Sequence, residues 1–402
     1  MISKLAGLML GVLASISYGI TEGSGAPERL GFIPGPVIKF NATELMEIDE
    51  ENNAYGPRIR VVALRFKPDG SELVMVGYAN SLGAIPGRMF VQYHNTSALS
   101  SNQESVNRLG HEFLELGCPS GLSICFLGGC IACGRGEDLI HWQASPNGYF
   151  INQSPIVISL GQFVFATTFI LEDAWLAYGH AGLLSLINPA NKDDVLPLPG
   201  EFSKIVSALD SQGPWLASGD QTGEIRVHNL TNLSDISYVN MTAHNDVVLS
   251  LGFSPDSERL LSGGQDKLAG LWLREAGGHF TLIQNMTFDA GVNVVLYHPG
   301  GEHYAVAEGP RVHLYEAAKQ TRLDTLTMAN NMSVVFSLAF HPNGTWLAVG
   351  NNQNDLEFYS LGERPEFTFT EQSTLQPTST VTMVVVSSSA AIDDNQPTSP
   401  SP

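Results

Sequence analysis

The chain is short of positive charge. It contains 20 Lys and Arg residues against 40 Asp and Glu residues, which gives a formal net charge of −20 at pH 7. Such an acidic surface is repelled by phosphate backbones and by anionic lipid headgroups. The composition therefore predicts no nucleic-acid partner and favours a neutral or basic protein or peptide partner.

The sequence also lacks the short motifs of common active sites. It has no Gly-Lys-Ser/Thr phosphate loop, no His-Glu-x-x-His zinc motif and no Gly-x-Ser-x-Gly nucleophile turn. No catalytic residue, cofactor or resident metal is predicted. Most histidines at strand ends or in proline turns are expected to be structural or solvent-exposed, among them His94, His141, His228, His298, His313 and His341.

Cysteine is scarce and confined to one short stretch, as Cys118, Cys125, Cys130 and Cys133. In a secreted protein, an even number of closely spaced cysteines favours disulfides, here with three possible pairings. If the Gly-Gly pair at 128–129 forms a two-residue hairpin turn, Cys125 opposes Ala132. Cys133 then points to the other face, so a Cys125 to Cys133 bridge is the least favoured. A four-thiolate zinc site and a redox-active pair are the alternatives.

No apolar run is long enough to cross a bilayer comfortably, so no stable membrane anchor is expected. Residues 1–19 have the pattern of a secretory signal, with Lys4 before an apolar stretch and small residues at its end. This pattern predicts a secreted or lumenal protein. An uncleaved anchor or a merely apolar N-terminus, with a cytoplasmic or nuclear location, is the alternative. Residues 20–35 are expected to be a flexible lead-in.

The main positive signal is a repeated β unit of about forty residues. Its clearest copy, residues 243–272, has short apolar segments separated by Pro, Asp and Gly, which is typical of strands joined by tight turns. The aromatic or apolar residue that ends the first segment recurs at Phe169, Leu209, Phe253, Tyr297 and Phe340. Looser copies at 59–77 and 122–142 bring the number to seven.

The 243–272 unit resembles a WD repeat, in which a His, a Ser-Pro-Asp turn, an Asp and a terminal Trp recur at fixed positions. The resemblance implies an all-β, seven-bladed β-propeller of four-stranded antiparallel blades over residues 36–370. It also implies a hydrogen-bonded tetrad of His244, Ser262, Asp266 and Trp272. Ala243 stands where the family has Gly, Leu273 stands where it has Asp, and the other copies lack the full tetrad.

A closed ring needs a strand to pair with its last open edge. Residues 36–40 and 366–370 both qualify, and the N-terminal segment is slightly favoured. In the first copy, an insertion is predicted from Ala79 to Arg88, and an irregular polar stretch from Asn95 to Asn107. Such loops carry partner contacts or are tolerated surface insertions.

Two sets of side chains are candidates for binding. The loops between second and third strands are expected to gather polar residues around one mouth of the channel, namely His180, Asp220, Gln221, Gln265, Glu308, Asn351 and Asn352. Solvated turn residues would give the same pattern. Trp175, Trp215 and Trp346 share one repeat position, which favours packing between blades over an exposed aromatic surface.

Asparagine-linked glycosylation triplets are frequent. Candidate sites are Asn41, Asn95, Asn229, Asn232, Asn240, Asn285, Asn331 and Asn343, whereas the triplet at Asn152 precedes a proline context that disfavours use. Six of them, Asn95, Asn229, Asn232, Asn285, Asn331 and Asn343, are expected in connections between strands. The Ser/Thr/Pro-rich segment 371–402 is expected to be disordered.

Together these features favour a secreted or lumenal propeller that binds protein or peptide without chemistry of its own. The alternative is a propeller enzyme, such as a metal-dependent hydrolase or lactonase, that uses carboxylates and histidines at the channel mouth. Fold alone does not decide between them.

N-terminal sequencing and intact mass of the mature protein test the secretory prediction. We expect the mature chain to start after residue 19, to carry enzymatically removable glycans and to show no free thiol under denaturing, non-reducing conditions. Four free thiols, or an intact residue 1 on an unglycosylated chain, would contradict it.

Overall fold

The regular elements of this protein are short antiparallel β-strands, seen in a computed structural model. The structure describes residues 38–40, 59–79, 88–97, 99, 107–114, 120–124, 130–143, 155–171, 173–180, 182–353 and 355–361. Among these residues, no helix is long and apolar enough to span a bilayer. The predicted signal, lead-in and tail, together with Asn41 and Asn152, lie outside them.

The strands form seven four-stranded sheets, or blades. Blade 1 contains β2 (Ile59–Phe66), β3 (Glu72–Ala79), β4 (Arg88–Asn95) and β5 (Asn107–Leu114). Blade 2 contains β6 (Ser120–Ile124), β7 (Cys130–Arg135), β8 (Asp138–Gln143) and β9 (Ile156–Ser159). Blade 3 contains β10 (Ala166–Ile170), β11 (Trp175–Gly179), β12 (Leu184–Asn188) and β13 (Asn191–Pro197).

The remaining blades follow the same order. Blade 4 contains β14 (Val206–Gln212), β15 (Trp215–Asp220), β16 (Glu224–Asn229) and β17 (Ser237–Thr242). Blade 5 contains β18 (Val248–Phe253), β19 (Arg259–Gly264), β20 (Leu268–Arg274) and β21 (Phe280–Thr287). Blade 6 contains β22 (Val292–Tyr297), β23 (His303–Glu308), β24 (Arg311–Glu316) and β25 (Thr321–Thr327). Blade 7 contains β26 (Val335–Phe340), β27 (Trp346–Asn351), β28 (Leu356–Ser360) and β1 (Ile38–Phe40).

The first strand of each of blades 1 to 6, and β26 in blade 7, is the inner strand of its blade. Each inner strand contacts the inner strand of the next blade, from β2 through β26 and back to β2, so the blades close into a ring. The prediction of seven four-stranded antiparallel blades is confirmed. Ile38 pairs with Phe358 and Phe40 with Leu356, which confirms that the N-terminal segment completes the last blade.

Apolar side chains between neighbouring blades form the core. Alternate residues of a strand point to opposite faces, and both faces are covered here, so the second and third strands are buried along most of their length, as in β16 and β24. Blades 1 and 7, for example, enclose Phe66, Phe90, Trp346 and Phe358. Each large side chain buried in this way stabilises the ring by about 2–3 kcal/mol.

The three equivalent tryptophans pack between blades, as predicted. Trp346 is buried in the cluster between blades 7 and 1. Trp175 and Trp215 are partly buried against the clusters that follow their own blades. The guanidinium of Arg274 also lies 4.7 Å from the ring centre of Trp215, which ties blade 5 to blade 4.

Histidines link the turns of successive blades on one rim. We call this the back rim, formed by the turns between first and second strands at 67–71, 213–214, 254–258, 298–302 and 341–345. His298 Nε2 lies 2.9 Å from the Gly344 carbonyl oxygen, and His341 Nε2 lies 3.1 Å from the Gly70 carbonyl oxygen. Both glycines have positive φ, and a Cβ on either would collide with the histidine ring.

Blade 5 contains the hydrogen-bonded tetrad that the resemblance implies. His244 Nδ1 lies 2.9 Å from Asp266 Oδ1, and His244 Nε2 lies 2.9 Å from Ser262 Oγ. Trp272 Nε1 donates to the same Ser262 oxygen at 3.0 Å. The chain of bonds from Trp272 to Asp266 ties the third strand, the second strand and the connection that enters the blade.

The structure corrects the predicted hairpin in blade 2. Ser123, not Cys125, pairs with Ala132, because β6 ends at Ile124 and the connection 125–129 is five residues long. Cys118, Cys125 and the Gly-Gly pair lie outside the described residues. Cys130 and Cys133 are both disulfide-bonded. They are separated by about 10 Å of extended strand, beyond bridging range, so they are not bonded to each other.

Most of the two insertions predicted in blade 1 lies outside the described residues, which show only the strands on either side. Strand β3 ends at Ala79 and β4 begins at Arg88, while β4 ends at Asn95 and β5 begins at Asn107. Three glycosylation sites expected in connections lie in strands instead: Asn95 and Asn229 are the last residues of β4 and β16, and Asn285 lies within β21. Asn285 is the only one of the three inside a strand. It is nonetheless exposed, since β21 is the outer strand of its blade.

We expect removal of the serine hydroxyl of the tetrad to destabilise the protein more than removal of the equivalent hydroxyl in blade 4. Ser262→Ala leaves two buried nitrogens, on His244 and Trp272, without their partner and should lower the free energy of unfolding by about 2–4 kcal/mol. Ser218 occupies the same position in blade 4 but donates only to the Arg226 carbonyl at 3.3 Å. Ser218→Ala should therefore cost only about 1 kcal/mol. Urea unfolding of both variants measures the difference, and equal losses would contradict the tetrad's role.

A buried histidine in blade 2 predicts acid sensitivity. Burial lowers the pKa of His141 from 6.5 to about 4, and neither ring nitrogen has a hydrogen-bond partner among the described residues. The unfolded chain therefore binds a proton in a pH range where the folded chain does not, and folding is destabilised as the pH falls from about 6.5 to 4. The contribution of this one group is roughly 3 kcal/mol.

Urea unfolding at several pH values tests this expectation. His141→Leu should reduce the loss of stability between pH 6.5 and 4 relative to the wild-type protein. Burial lowers the pKa of His180 and His228 as well, so some pH dependence should remain in the variant. Identical pH profiles for variant and wild type would refute the assignment.

Candidate binding rim

The rim opposite the back rim brings two kinds of loop together. We call it the front rim, formed by the turns between second and third strands and by the connections between blades, at 182–183, 198–205, 221–223, 243–247, 265–267, 288–291, 309–310, 328–334 and 352–353. Adjacent antiparallel strands place the end of one beside the start of the other. Backbone bonds join the loops, as between Gln265 N and Val247 O at 2.9 Å.

The front rim is also continuous from blade to blade. The Gly223 carbonyl, in the turn of blade 4, accepts N–H groups from Ala243 and His244, which lead into blade 5. In the same way, the Pro310 carbonyl of blade 6 accepts the Met328 N–H. These loops are consequently held by their own backbones, and they present a fixed surface rather than independent flaps.

Three of the seven predicted mouth residues lie on this rim, and the other four lie at or next to the strand ends that lead into it, where two of them shape turns. Asp220 is fully buried, and its Oδ1 accepts the Thr222 N–H at 2.8 Å and the Glu224 N–H at 3.0 Å. Asn351 plays the same part in blade 7, where its Oδ1 accepts two backbone N–H groups at 2.9 Å. Both side chains are buried and bonded within their own turns, so neither is presented to a ligand at the surface.

Glu308 is likewise a structural group. Its carboxylate is buried and accepts the Ala290 N–H at 2.9 Å. Arg311 lies 3.1 Å from the carboxylate and His313 lies 3.4 Å from it, so the buried charge is compensated. Glu308 thereby fixes the connection into blade 6 instead of facing solvent.

The other four predicted mouth residues differ in exposure. His180 is buried and stacks on Tyr178, with ring centres 5.5 Å apart, and burial lowers its pKa. Asn352 is partly exposed, although its Oδ1 accepts the Val334 N–H at 2.8 Å. Gln221 and Gln265 are partly exposed. Of the predicted set, only these three side chains reach the surface.

Sequence reasoning missed the residues that the front rim exposes most. Asp246, Lys267 and Asp289 are exposed, and Met332 has 75% of its surface accessible. Each lies one to two residues beyond a turn or tetrad position, where the repeat pattern carries no constraint. Among the exposed large apolar side chains of the described residues, Met332 has the highest accessible fraction.

A cluster of side chains that could bind a metal ion lies on the back rim. His298, Glu302 and His303 meet in the turn between β22 and β23. The sequence signal for it is the segment His-Pro-Gly-Gly-Glu-His at 298–303, whose spacing matches none of the zinc motifs considered above.

Comparison with known proteins places two of the repeats in a family. The model of the WD domain, G-beta repeat, matches residues 237–272 and 322–356. The first match covers the tetrad-bearing unit of blade 5. The second runs from blade 6 into blade 7.

Individual relatives share part of the chain. A zebrafish (Danio rerio) protein, p21-activated protein kinase-interacting protein 1-like, is 29% identical over 210 residues, covering 48% of this chain and 55% of the relative. The Target of rapamycin complex subunit wat1 of Schizosaccharomyces pombe is 26% identical over 114 residues, covering 28% and 36%. The chain thus spans about half the length of the first relative and about a third of the second.

A chain from the crystal structure of a mitotic checkpoint complex aligns with a TM-score of 0.47 and 16% sequence identity, over 60% of this chain and 89% of that one. The two matches begin in the last strand of blade 4 and in the last strand of blade 6, and both agree with the closed ring of four-stranded blades. Two repeats of this chain therefore match the WD domain, G-beta repeat, and the chain folds as a seven-bladed β-propeller.

Proposed function

We propose that this protein is a non-catalytic scaffold that binds a protein or peptide on its front rim. The proposal rests on the contrast between the buried and the exposed side chains of that rim. Its buried polar groups, Asp220, Glu308 and Asn351, are used within the turns. Its exposed side chains make fewer bonds within the protein: Asp246 accepts only the N–H of the adjacent Val247, Asp289 forms an exposed ion pair with Arg311, and Met332 is 75% exposed.

The character of these side chains defines the partner. Met332 offers a flexible apolar contact of the type found in the centre of protein interfaces. Asp246 and Asp289 add negative charge, and the chain as a whole carries −20. A basic or neutral protein surface complements this rim, and its association rate should fall as salt is added.

The relatives' names support an interaction role. One is named for its interaction with a protein kinase and the other as a subunit of a complex. The enzyme alternative relies on carboxylates at the mouth that are available to substrate, whereas those of Asp220 and Glu308 accept backbone N–H groups. The scaffold reading is therefore the better supported one.

We propose further that the protein acts in the secretory pathway or outside the cell. The apolar N-terminal segment supports this location, as do the glycosylation triplets. The disulfide-bonded state of Cys130 and Cys133 points in the same direction, because such bonds persist in oxidising compartments.

A triple front-rim variant tests the binding surface. Asp246→Lys, Asp289→Lys and Met332→Glu together change only exposed side chains, so the fold should be kept. Affinity capture of the tagged protein from its source cells and their medium, quantified by mass spectrometry, should show partner recovery reduced by about tenfold or more. Recovery by the wild-type protein should decrease with added salt.

A matched control carries similar changes elsewhere. Asp235→Lys, Glu275→Lys and Leu282→Glu also reverse two exposed acids and replace one exposed apolar side chain, but they lie in outer loops and on β21. This control should recover partners as well as the wild type does. Equal recovery of partners by the front-rim variant and by the control would contradict the proposed binding surface.

A further inference from the structure

The turn 298–303 of blade 6 brings two imidazoles and a carboxylate together. His298 follows the last residue of β22, His303 begins β23, and Glu302 precedes His303. One nitrogen or oxygen from each of the three side chains lies within 4.8 Å of the others. The two imidazole rings are 5.6 Å apart and nearly perpendicular, so both can address one point.

The position of His298 is fixed by groups outside the cluster. Its Nε2 lies 2.9 Å from the Gly344 carbonyl oxygen and therefore carries the proton that is donated there. Phe340 packs edge-on against the ring, with centres 5.2 Å apart. A histidine that donates one N–H to a backbone carbonyl and keeps the other nitrogen as a lone pair has the arrangement typical of a metal ligand.

The lone pair on His298 Nδ1 faces a carboxylate. Glu302 Oε2 lies 3.3 Å from that nitrogen, and the Gly300 N–H also points to it at 3.1 Å. The Gly300 N–H occupies the Nδ1 lone pair in this structure, and a cation between the nitrogen and the carboxylate would replace that bond and attract both groups. Either a proton or a metal ion satisfies the pair, and the two can be distinguished by experiment.

Blade 7 provides an internal comparison. His341 makes the same inter-blade bond, to the Gly70 carbonyl, and its Nδ1 lies 2.6 Å from Asn343 Oδ1. At the positions that correspond to Glu302 and His303, blade 7 has Thr345 and Trp346. The link between blades thus forms without an acid or a second imidazole.

The cluster opens on a cavity between blades 6 and 7. The cavity has a volume of about 200 Å³, and the three side chains share its lining with Leu314, Leu323, Phe340 and Leu361. Apolar walls exclude water from one side of the cluster, which strengthens the attraction between a cation and its ligands.

We propose that His298 Nδ1, Glu302 and His303 bind a zinc ion. Two imidazole nitrogens and one carboxylate oxygen are a donor set that zinc prefers, with bonds of about 2.0–2.2 Å. Tetrahedral ligands lie about 3.3 Å apart, so atoms that lie within 4.8 Å of one another need to approach by at most about 1.5 Å. The side chain of Glu302 is 55% exposed and free to make that adjustment.

Three protein ligands leave the fourth zinc position open. That position would be filled by water or by a carboxylate or imidazole group of a small ligand or peptide end, whose apolar part fits the cavity. The site lies on the back rim and is independent of the scaffold surface proposed for the front rim.

Zinc binding to the full-length, oxidised protein without a histidine tag tests the proposal. After treatment with chelator and dialysis, equilibrium dialysis with metal analysis should give one zinc ion per chain. Glu302→Gln and His303→Asn should each weaken zinc affinity by more than about tenfold. Zinc should raise the Tm of the wild-type protein, and this increase should shrink in both variants. His298 is left unchanged because it also links the blades.

Controls separate this site from other zinc ligands in the chain. Glu275→Gln and His279→Asn replace an exposed acid and an exposed histidine in the turn between β20 and β21 and should leave zinc affinity unchanged. Absorption bands of a Co²⁺-substituted sample should indicate four ligands. Absence of stoichiometric zinc, or unchanged affinity in both Glu302→Gln and His303→Asn, would overturn the proposal, and a proton would then account for the pair.

Discussion

The fold depends on burial of sheet faces between neighbouring blades. A four-stranded sheet with apolar residues on both faces cannot be stable alone in water, and each blade here is covered on both sides by the next and the previous one. Hydrogen bonds add direction to this packing. Those of His298 and His341 fix how the turns of blades 6, 7 and 1 meet. The rigid ring that results is what allows short loops to form a defined surface.

That rigidity also explains why polar residues on the front rim divide into two classes. A tight turn between strands leaves backbone N–H groups that a nearby carboxylate or amide must accept, and Asp220 and Asn351 do so. The side chains that remain for recognition are the exposed ones, which satisfy few backbone groups or none. The polar composition of a loop therefore says less about binding than the number of backbone groups its side chains must satisfy.

Sequence reasoning was strongest where one physical pattern is repeated. The spacing of apolar segments located the strands, and the tetrad of blade 5 forms as the resemblance implies because its four positions are set by strand register. Equivalent tryptophans pack alike because they occupy the same place in the sheet. Strand boundaries in blade 1 also agree, since polar residues interrupt the apolar alternation there.

Prediction was weaker where register or accessibility depends on distant residues. The Gly-Gly pair at 128–129 favoured a two-residue turn, but Ser123 pairs with Ala132 and the connection is longer. The burial of Glu308 depends on Ala290, Arg311 and His313, which no local pattern brings together. The cluster of His298, Glu302 and His303 was missed because the sequence does not show that these side chains line a cavity together with residues of blade 7.

The pairing of β1 with β28 joins residues about 320 positions apart in the chain. A ribosome delivers β1 first, and this strand has no partner until β28 has been synthesised. Blades 1 to 6 are each built from one contiguous segment, whereas the seventh needs two segments from distant parts of the chain. Completing it therefore requires a long-range contact, with the loss of chain entropy that closing so large a loop entails.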